Sequence, residues 1–96
     1  MTDSKLYTVI LEYNGGTYIS QASGNSPAAA LPKWISKLHD EEMAKWKITR
    51  GELTRVIRTD EPCPISGCVG VWCVTGSTKA GLVLIHLIAT DESVGA

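Results

Sequence analysis

The start of the chain alternates between two kinds of residue in the manner of two strands joined by a tight turn. Residues 6–13 have a period of two and are rich in β-branched and aromatic side chains, which predicts a β-strand. Asn14-Gly15-Gly16 supplies the positive φ angles of a hairpin turn, and residues 17–22 are predicted to return as the partner strand. We expect one face of this hairpin to be buried, formed by Tyr7, Val9, Leu11, Tyr13, Tyr18, Ser20 and Ala22.

A helical pattern follows the hairpin. Ser26-Pro27 is a typical helix start, with a hydroxyl N-cap and a proline at the first helical position. The apolar stripe of this helix consists of Ala28, Leu31, Ile35 and Leu38. Pro32 removes one backbone hydrogen bond, which predicts a kink. Two endings are open: a break near His39-Asp40, with Asp40 capping a second piece, or continuation to Trp46.

A second helix start follows at Thr49-Arg50-Gly51-Glu52, which has the spacing of a capping box. It predicts a short helix over residues 50–57, although Val56 and Ile57 would also suit a strand. Residues 59–64 contain two prolines and two acids, which indicates a loop.

The last third of the chain returns to strand patterns. Residues 69–75 are predicted to form a strand and residues 76–81 the turn after it. Residues 82–89 are apolar on both faces apart from His86, so we expect a central strand covered on two sides or lying at an oligomer seam. Residues 1–4 and 90–96 are expected to fray.

These elements give the order β-β-α-(α)-β-β. The predicted fold is α+β: a two-layer sandwich in which a four-stranded antiparallel sheet carries the helices on one face. The 96 residues suit a single domain. Such a sheet leaves open edges, through which a partner protein or a second copy could add a strand, so a homodimer through a sheet edge is one expectation.

Composition points to a soluble cytoplasmic protein. No apolar run approaches the roughly 20 residues that span a bilayer, and the first residues lead into no signal-peptide core. Three cysteines fit a reducing compartment. Net charge is −1, but seven of the nine basic residues lie in the window 33–58, among four acids. Weak nucleic-acid binding through this window is therefore a third hypothesis for the function.

The cysteines carry the only other candidate chemistry. Cys63, Cys68 and Cys73 have the spacing C-x4-C-x4-C, which matches no zinc pattern, and we expect no metal site and no cofactor. Cys63 lies in a predicted loop and is the one cysteine expected to be exposed and reactive. A small thiol-dependent enzyme or redox-sensitive protein using Cys63 is thus the second hypothesis. No residue pattern assigns catalytic residues, and His39 and His86 have no partner arrangement typical of a base.

The tryptophans suggest a recognition surface. Trp34 and Trp72 are expected to complete the core, whereas Trp46 lies between Lys45 and Lys47 and is expected to be an exposed contact. Lys45, Trp46 and Arg50 together form the predicted partner-binding surface, with an aromatic anchor and flanking charges. The first hypothesis is therefore a non-catalytic binding module that acts by occupying a partner protein.

The first 38 residues also carry a family resemblance. The strand Tyr7-Thr-Val-Ile-Leu-Glu, the turn Gly15-Gly16-Thr17-Tyr18 and the helix from Ser26-Pro27 to Lys33-Trp34 resemble the start of small bacterial HicB-like antitoxins, over about residues 5–38. The proline- and glycine-rich stretch that members usually place before the helix is missing here. The resemblance implies masking of a partner protein, in the manner of an antitoxin or immunity protein.

Overall fold

The chain folds as an α+β domain with one antiparallel sheet and three helices. The computed structural model describes residues 4–90. The elements in chain order are β1 (Lys5–Tyr13), β2 (Gly16–Gly24), α1 (Pro27–Lys37), α2 (Asp40–Trp46), α3 (Arg50–Thr59), β3 (Cys63–Pro64), β4 (Val71–Thr78) and β5 (Gly81–Thr90). The strands lie side by side in the order β2-β1-β5-β4-β3, so the hairpin at the start of the chain joins the closing hairpin through β1 and β5.

The prediction of a four-stranded sheet is wrong, because the predicted loop at 59–64 contributes a fifth strand. In β3, Cys63 pairs with Cys73 and Pro64 with Trp72. Proline has no N–H to donate, and an edge position tolerates it. Sequence patterns could not identify this short strand, because two residues show no alternation and their composition is that of a turn.

The helical region breaks after α1, and α3 is a helix rather than a strand. Leu38 leaves the helix with an extended backbone, and His39, not Asp40, is the N-cap of α2. The capping box predicted at the start of α3 is present: the Thr49 hydroxyl accepts from the Glu52 N–H at 3.1 Å, and the Glu52 carboxylate accepts from the Thr49 N–H at 3.0 Å.

The closing hairpin is longer than its pattern suggested. The predicted turn at 76–81 is wrong, since β4 continues to Thr78 and pairs with β5 as far as Gly81. Gly76 is needed there because a Cβ would come within 2.8 Å of the Val56 side chain on α3. Thr90 pairs with Leu6 instead of fraying. The other terminal residues expected to fray, at 1–3 and 91–96, lie outside the described residues.

The core lies between the helices and one face of the sheet. Every buried strand residue points to this face and joins the buried helical residues in one cluster. The face predicted for the first hairpin is confirmed for its buried members, Tyr7, Val9, Leu11, Tyr13 and Ala22. On β5, Val83, Ile85 and Leu87 are buried, but the residues between them are not. The central strand is therefore covered on one side only. No helix within residues 4–90 has the length and apolarity to cross a membrane.

Candidate functional site

Trp46 is part of the core, so the expectation that it is an exposed contact is wrong. Its exposed fraction is 8%, and its ring stacks on Tyr18 with centroids 4.6 Å apart and an interplanar angle of 24°. Tyr18 lies on the core side of β2 and offers a flat apolar surface to the indole. The break before α2 turns this helix so that Met43 and Trp46 face inward and Lys45 outward.

Arg50 is occupied by contacts within the chain. Its guanidinium donates to the carbonyl oxygens of Ile35 and Leu38, the latter at 2.9 Å, and to the Asp40 carboxylate at 2.9 Å. The last carbonyls of a helix have no partner within the helix, and Arg50 supplies one at the end of α1. The surface predicted from Lys45, Trp46 and Arg50 therefore combines an exposed lysine with a buried ring and an engaged arginine.

Trp34 and Trp72 pack against the core as predicted. Trp34 is 1% exposed and donates from Nε1 to the Ser20 hydroxyl at 2.7 Å. Trp72 is half-buried and meets Tyr7 edge-on, with ring centroids 5.8 Å apart.

The side of the sheet that faces away from the helices is uncovered, and we call it the open face. None of its side chains is buried. The strand registers place the following residues on it: Leu6, Thr8, Ile10 and Glu12 of β1; Thr17, Ile19, Gln21 and Ser23 of β2; Val71, Cys73, Thr75 and Ser77 of β4; Leu82, Leu84, His86, Ile88 and Thr90 of β5; and Cys63 of β3.

The open face is rich in branched apolar side chains and poor in charge. Ile19 and Leu82 are 68% and 60% exposed, and both lie on it. Its remaining large apolar side chains, which shield one another in part, are Leu6, Ile10, Val71, Leu84 and Ile88. None of the nine lysines and arginines is on this face, and Glu12 is its only acid. An apolar surface of this breadth is characteristic of an interaction site.

His86 lies at the centre of the open face. Its register partners are Ile10 on β1 and Cys73 on β4. Its Nε2 lies 3.5 Å from a carboxylate oxygen of Glu12, is shielded from solvent, and forms no hydrogen bond within residues 4–90. Leaving a shielded nitrogen without a hydrogen bond costs free energy, and a polar group supplied from outside the chain would satisfy it.

Cys73 on β4 is the register partner of His86, and Cys63 lies one strand further out on β3, opposite Cys73 on the same face. Cys63 is exposed as predicted, but Cys68, in the turn before β4, is exposed as well. The prediction that Cys63 alone is exposed is therefore wrong, because Cys68 lies outside the strands, in the segment between β3 and β4. Partial burial raises the pKa of the Cys73 thiol, and the nearby Asp60, Cys63 and Glu12 add to the rise.

We expect iodoacetamide to alkylate Cys73 more slowly than Cys63 or Cys68 in the folded protein at neutral pH. Alkylation requires the thiolate, and a raised pKa together with partial burial lowers both the thiolate fraction and the access to Cys73. Peptide mass spectrometry over a time course measures the three rates separately. Equal rates after unfolding in urea serve as the control, and a folded protein in which Cys73 reacts first would contradict the prediction.

The two edges of the sheet differ in how far they are available. The β4 edge beyond the short β3 is covered by α3 and the residue after it: the Thr75 N–H donates to Asp60 at 2.9 Å, and Arg55 donates to the Ser77 carbonyl at 3.2 Å. The other edge is β2, whose register partner is β1. If a partner adds a strand to the sheet, as the sequence led us to expect, β2 offers the longer edge for pairing.

A shallow groove lies between α1 and α3. Its floor is apolar, with Leu31, Ile35 and Ile57, and its rim carries Arg50, Arg58 and Glu61. Since Arg50 is engaged and Glu61 opposes Arg58 in sign, the groove presents no concentrated charge for a ligand.

The open face was not identified as a site from the sequence, although a signal for it was present. That signal was the apolar character of residues 82–89 on both strand faces, which indicated that β5 is covered on both sides or lies at an oligomer seam. Among residues 4–90, no group of three His, Cys, Asp or Glu side chains is placed to hold a metal ion. No protein-family model, curated protein or solved structure matches this chain.

Proposed function

We propose that this protein is a non-catalytic binding module that uses the open face of its sheet to occupy a protein partner. The observation that supports the proposal is the uncovered apolar surface through the central strand β5, where Leu82, Leu84 and Ile88 have no cover within residues 4–90. Its mode of action is steric masking, as in an antitoxin or immunity protein. The proposed surface replaces the one around Lys45, Trp46 and Arg50, because two of those side chains are used within the fold.

The chemistry of the open face favours protein over nucleic acid as the partner. Binding to a phosphate backbone depends on lysines and arginines, and this face has none. The basic residues of the window 33–58 are carried by the helical region, where they are mixed with Asp40, Glu41, Glu42 and Glu52. Apolar side chains rimmed by threonine, serine and glutamine are the composition expected of a protein interface.

Site-specific photo-crosslinking in cells tests this proposal. Benzoylphenylalanine in place of Leu82 samples the open face, and the same group in place of Ala44, an exposed position on α2, samples the helical layer. We expect a discrete protein adduct from position 82 and little or none from position 44. Adducts of equal yield from both positions, or none from position 82, would refute the proposal.

A second candidate function rests on the thiols and keeps Cys63 as its reactive group. Cys63 is exposed and lies directly opposite Cys73 across two paired strands. The alkylation experiment decides it, with Cys68 as the matched exposed control. A Cys63 rate at least about tenfold above that of Cys68 would indicate an activated thiol, and equal rates would count against this function.

A further inference from the structure

We infer that the occupant of the open face is a second copy of this chain, so that two sheets pack face to face in a symmetric dimer. This inference rests on the proposed function and adds the identity of the partner. Three properties of the open face support it: its size, its lack of charge and its position relative to the helices.

The open face is large enough for a stable dimer. Its four long strands have 8 to 10 residues each. With about 3.3 Å per residue and about 4.8 Å between strands, they span a plane of roughly 550 Å². Two such faces together cover roughly 1,100 Å², and side-chain relief increases the accessible area further. Biological interfaces bury about 1,000 Å² or more in total, so two fully overlapping faces reach the lower end of that range.

The composition of the open face makes it compatible with itself. In a two-fold dimer the same patch meets its own copy, so a patch whose charges all have one sign finds no opposite charge to pair with across the interface. Here the only carboxylate on the strands is Glu12, which lies near the hairpin end of β1, and Asp60 borders the face at the β4 edge. The row across the middle of the sheet, in contrast, is Ile19, Ile10, His86, Cys73 and Cys63. A second copy would bury this row and place further polar groups near His86 Nε2, which lies 3.5 Å from the Glu12 carboxylate but forms no hydrogen bond within residues 4–90.

The layer architecture supports face packing rather than edge pairing. Two sheets that pack face to face bury the inner side chains of both, with the helices on the outside. Pairing of two β2 edges would instead leave Leu82, Leu84 and Ile88 uncovered, since these residues lie on β5 at the centre of the sheet. A partner membrane would need a face with basic side chains, which the open face lacks.

Sedimentation velocity on the purified chain, with Leu84→Arg and Ala44→Arg as matched variants, tests the inference. We expect the unaltered chain to sediment as a dimer at micromolar concentration and Ala44→Arg to behave in the same way. Leu84→Arg is expected to raise the dimer dissociation constant by about 100-fold or more, because in each copy it replaces an apolar contact with a bulky, strongly hydrated cation, even though Glu12 lies opposite it on β1. Ile19→Arg, at the exposed edge of the same face, is a second variant in case Leu84→Arg fails to fold, and circular dichroism checks both.

The outcomes separate this inference from the proposed function. A monomer at all concentrations overturns the inference, and a dimer that both face variants leave intact overturns it as well, because that dimer uses the β2 edge or the helices. If the chain is monomeric and position 82 still crosslinks to a different protein in cells, the proposed function stands and only the identity of the partner fails. A monomer that gives no crosslink refutes both.

Discussion

Replacing Trp34 with alanine is expected to lower the free energy of unfolding by about 3–5 kcal/mol, the range measured for deleting a large buried aromatic side chain. Trp34 is the largest fully buried side chain within residues 4–90 and lies where α1 packs on the sheet. Small domains have about 5–15 kcal/mol in total, so the loss removes a large part of the stability. Urea denaturation followed by circular dichroism measures the change.

Ser20→Ala is the matched control for Trp34→Ala. It keeps the indole and removes only the acceptor of its N–H, which lies 2.7 Å away. The expected loss in unfolding free energy is about 1–3 kcal/mol, the cost of leaving one buried donor unpaired. If Trp34→Ala lowers the free energy of unfolding no more than Ser20→Ala does, the indole contributes its hydrogen bond and little packing. That result would contradict a core built around Trp34.

Replacing Arg50 with methionine is expected to lower the free energy of unfolding by about 1.5–3 kcal/mol, the usual effect of losing hydrogen bonds from a charged donor. Methionine keeps an unbranched apolar stem but cannot donate to the carbonyls of Ile35 and Leu38. The Leu38 carbonyl then loses the Arg50 donor, and the Ile35 carbonyl keeps only the Leu38 N–H, at the point where α1 ends and the chain turns toward α2. Thermal and urea unfolding measure the effect.

Asp40→Asn separates the carbonyl contacts of Arg50 from its ion pair. The Asp40 side chain is 91% exposed, and exposed ion pairs contribute about 0–1 kcal/mol. We therefore expect Asp40→Asn to have a small effect on stability and Arg50→Met a larger one. Equal effects from the two variants would show that the ion pair, and not the end of α1, accounts for the role of Arg50.

Local sequence patterns correctly predicted the elements whose turn residues, caps or periodicity lie within the element itself. The first hairpin, the start of α1 at Ser26-Pro27 and the capping box of α3 follow from turn residues, caps and periodicity. The sequence could not predict β3 in the same way, because Cys63 and Pro64 become a strand only by pairing with Cys73 and Trp72 on β4. Gly76 suggested a turn, but it lies within β4, where the absence of a side chain lets Val56 of α3 pack against the strand.

The exposure expected for Trp46 was wrong for a related reason. Lysines on both sides of Trp46 suggested exposure, but a helix places neighbours in sequence on different faces, so Trp46 points to the core while Lys45 does not. The role of Arg50 depends on where α1 ends, which the pattern left open. The open face appears only when the strand order is known, because it combines residues from both ends of the chain.

The most direct measurement of whether the open face is covered is methyl NMR on the purified protein with a soluble paramagnetic agent. We expect the methyl groups of Ile10, Ile19 and Leu84 to be shielded from the agent, as the core methyls of Leu53 and Val74 are. Open-face methyls that broaden with the agent while those core methyls do not would contradict a covered face.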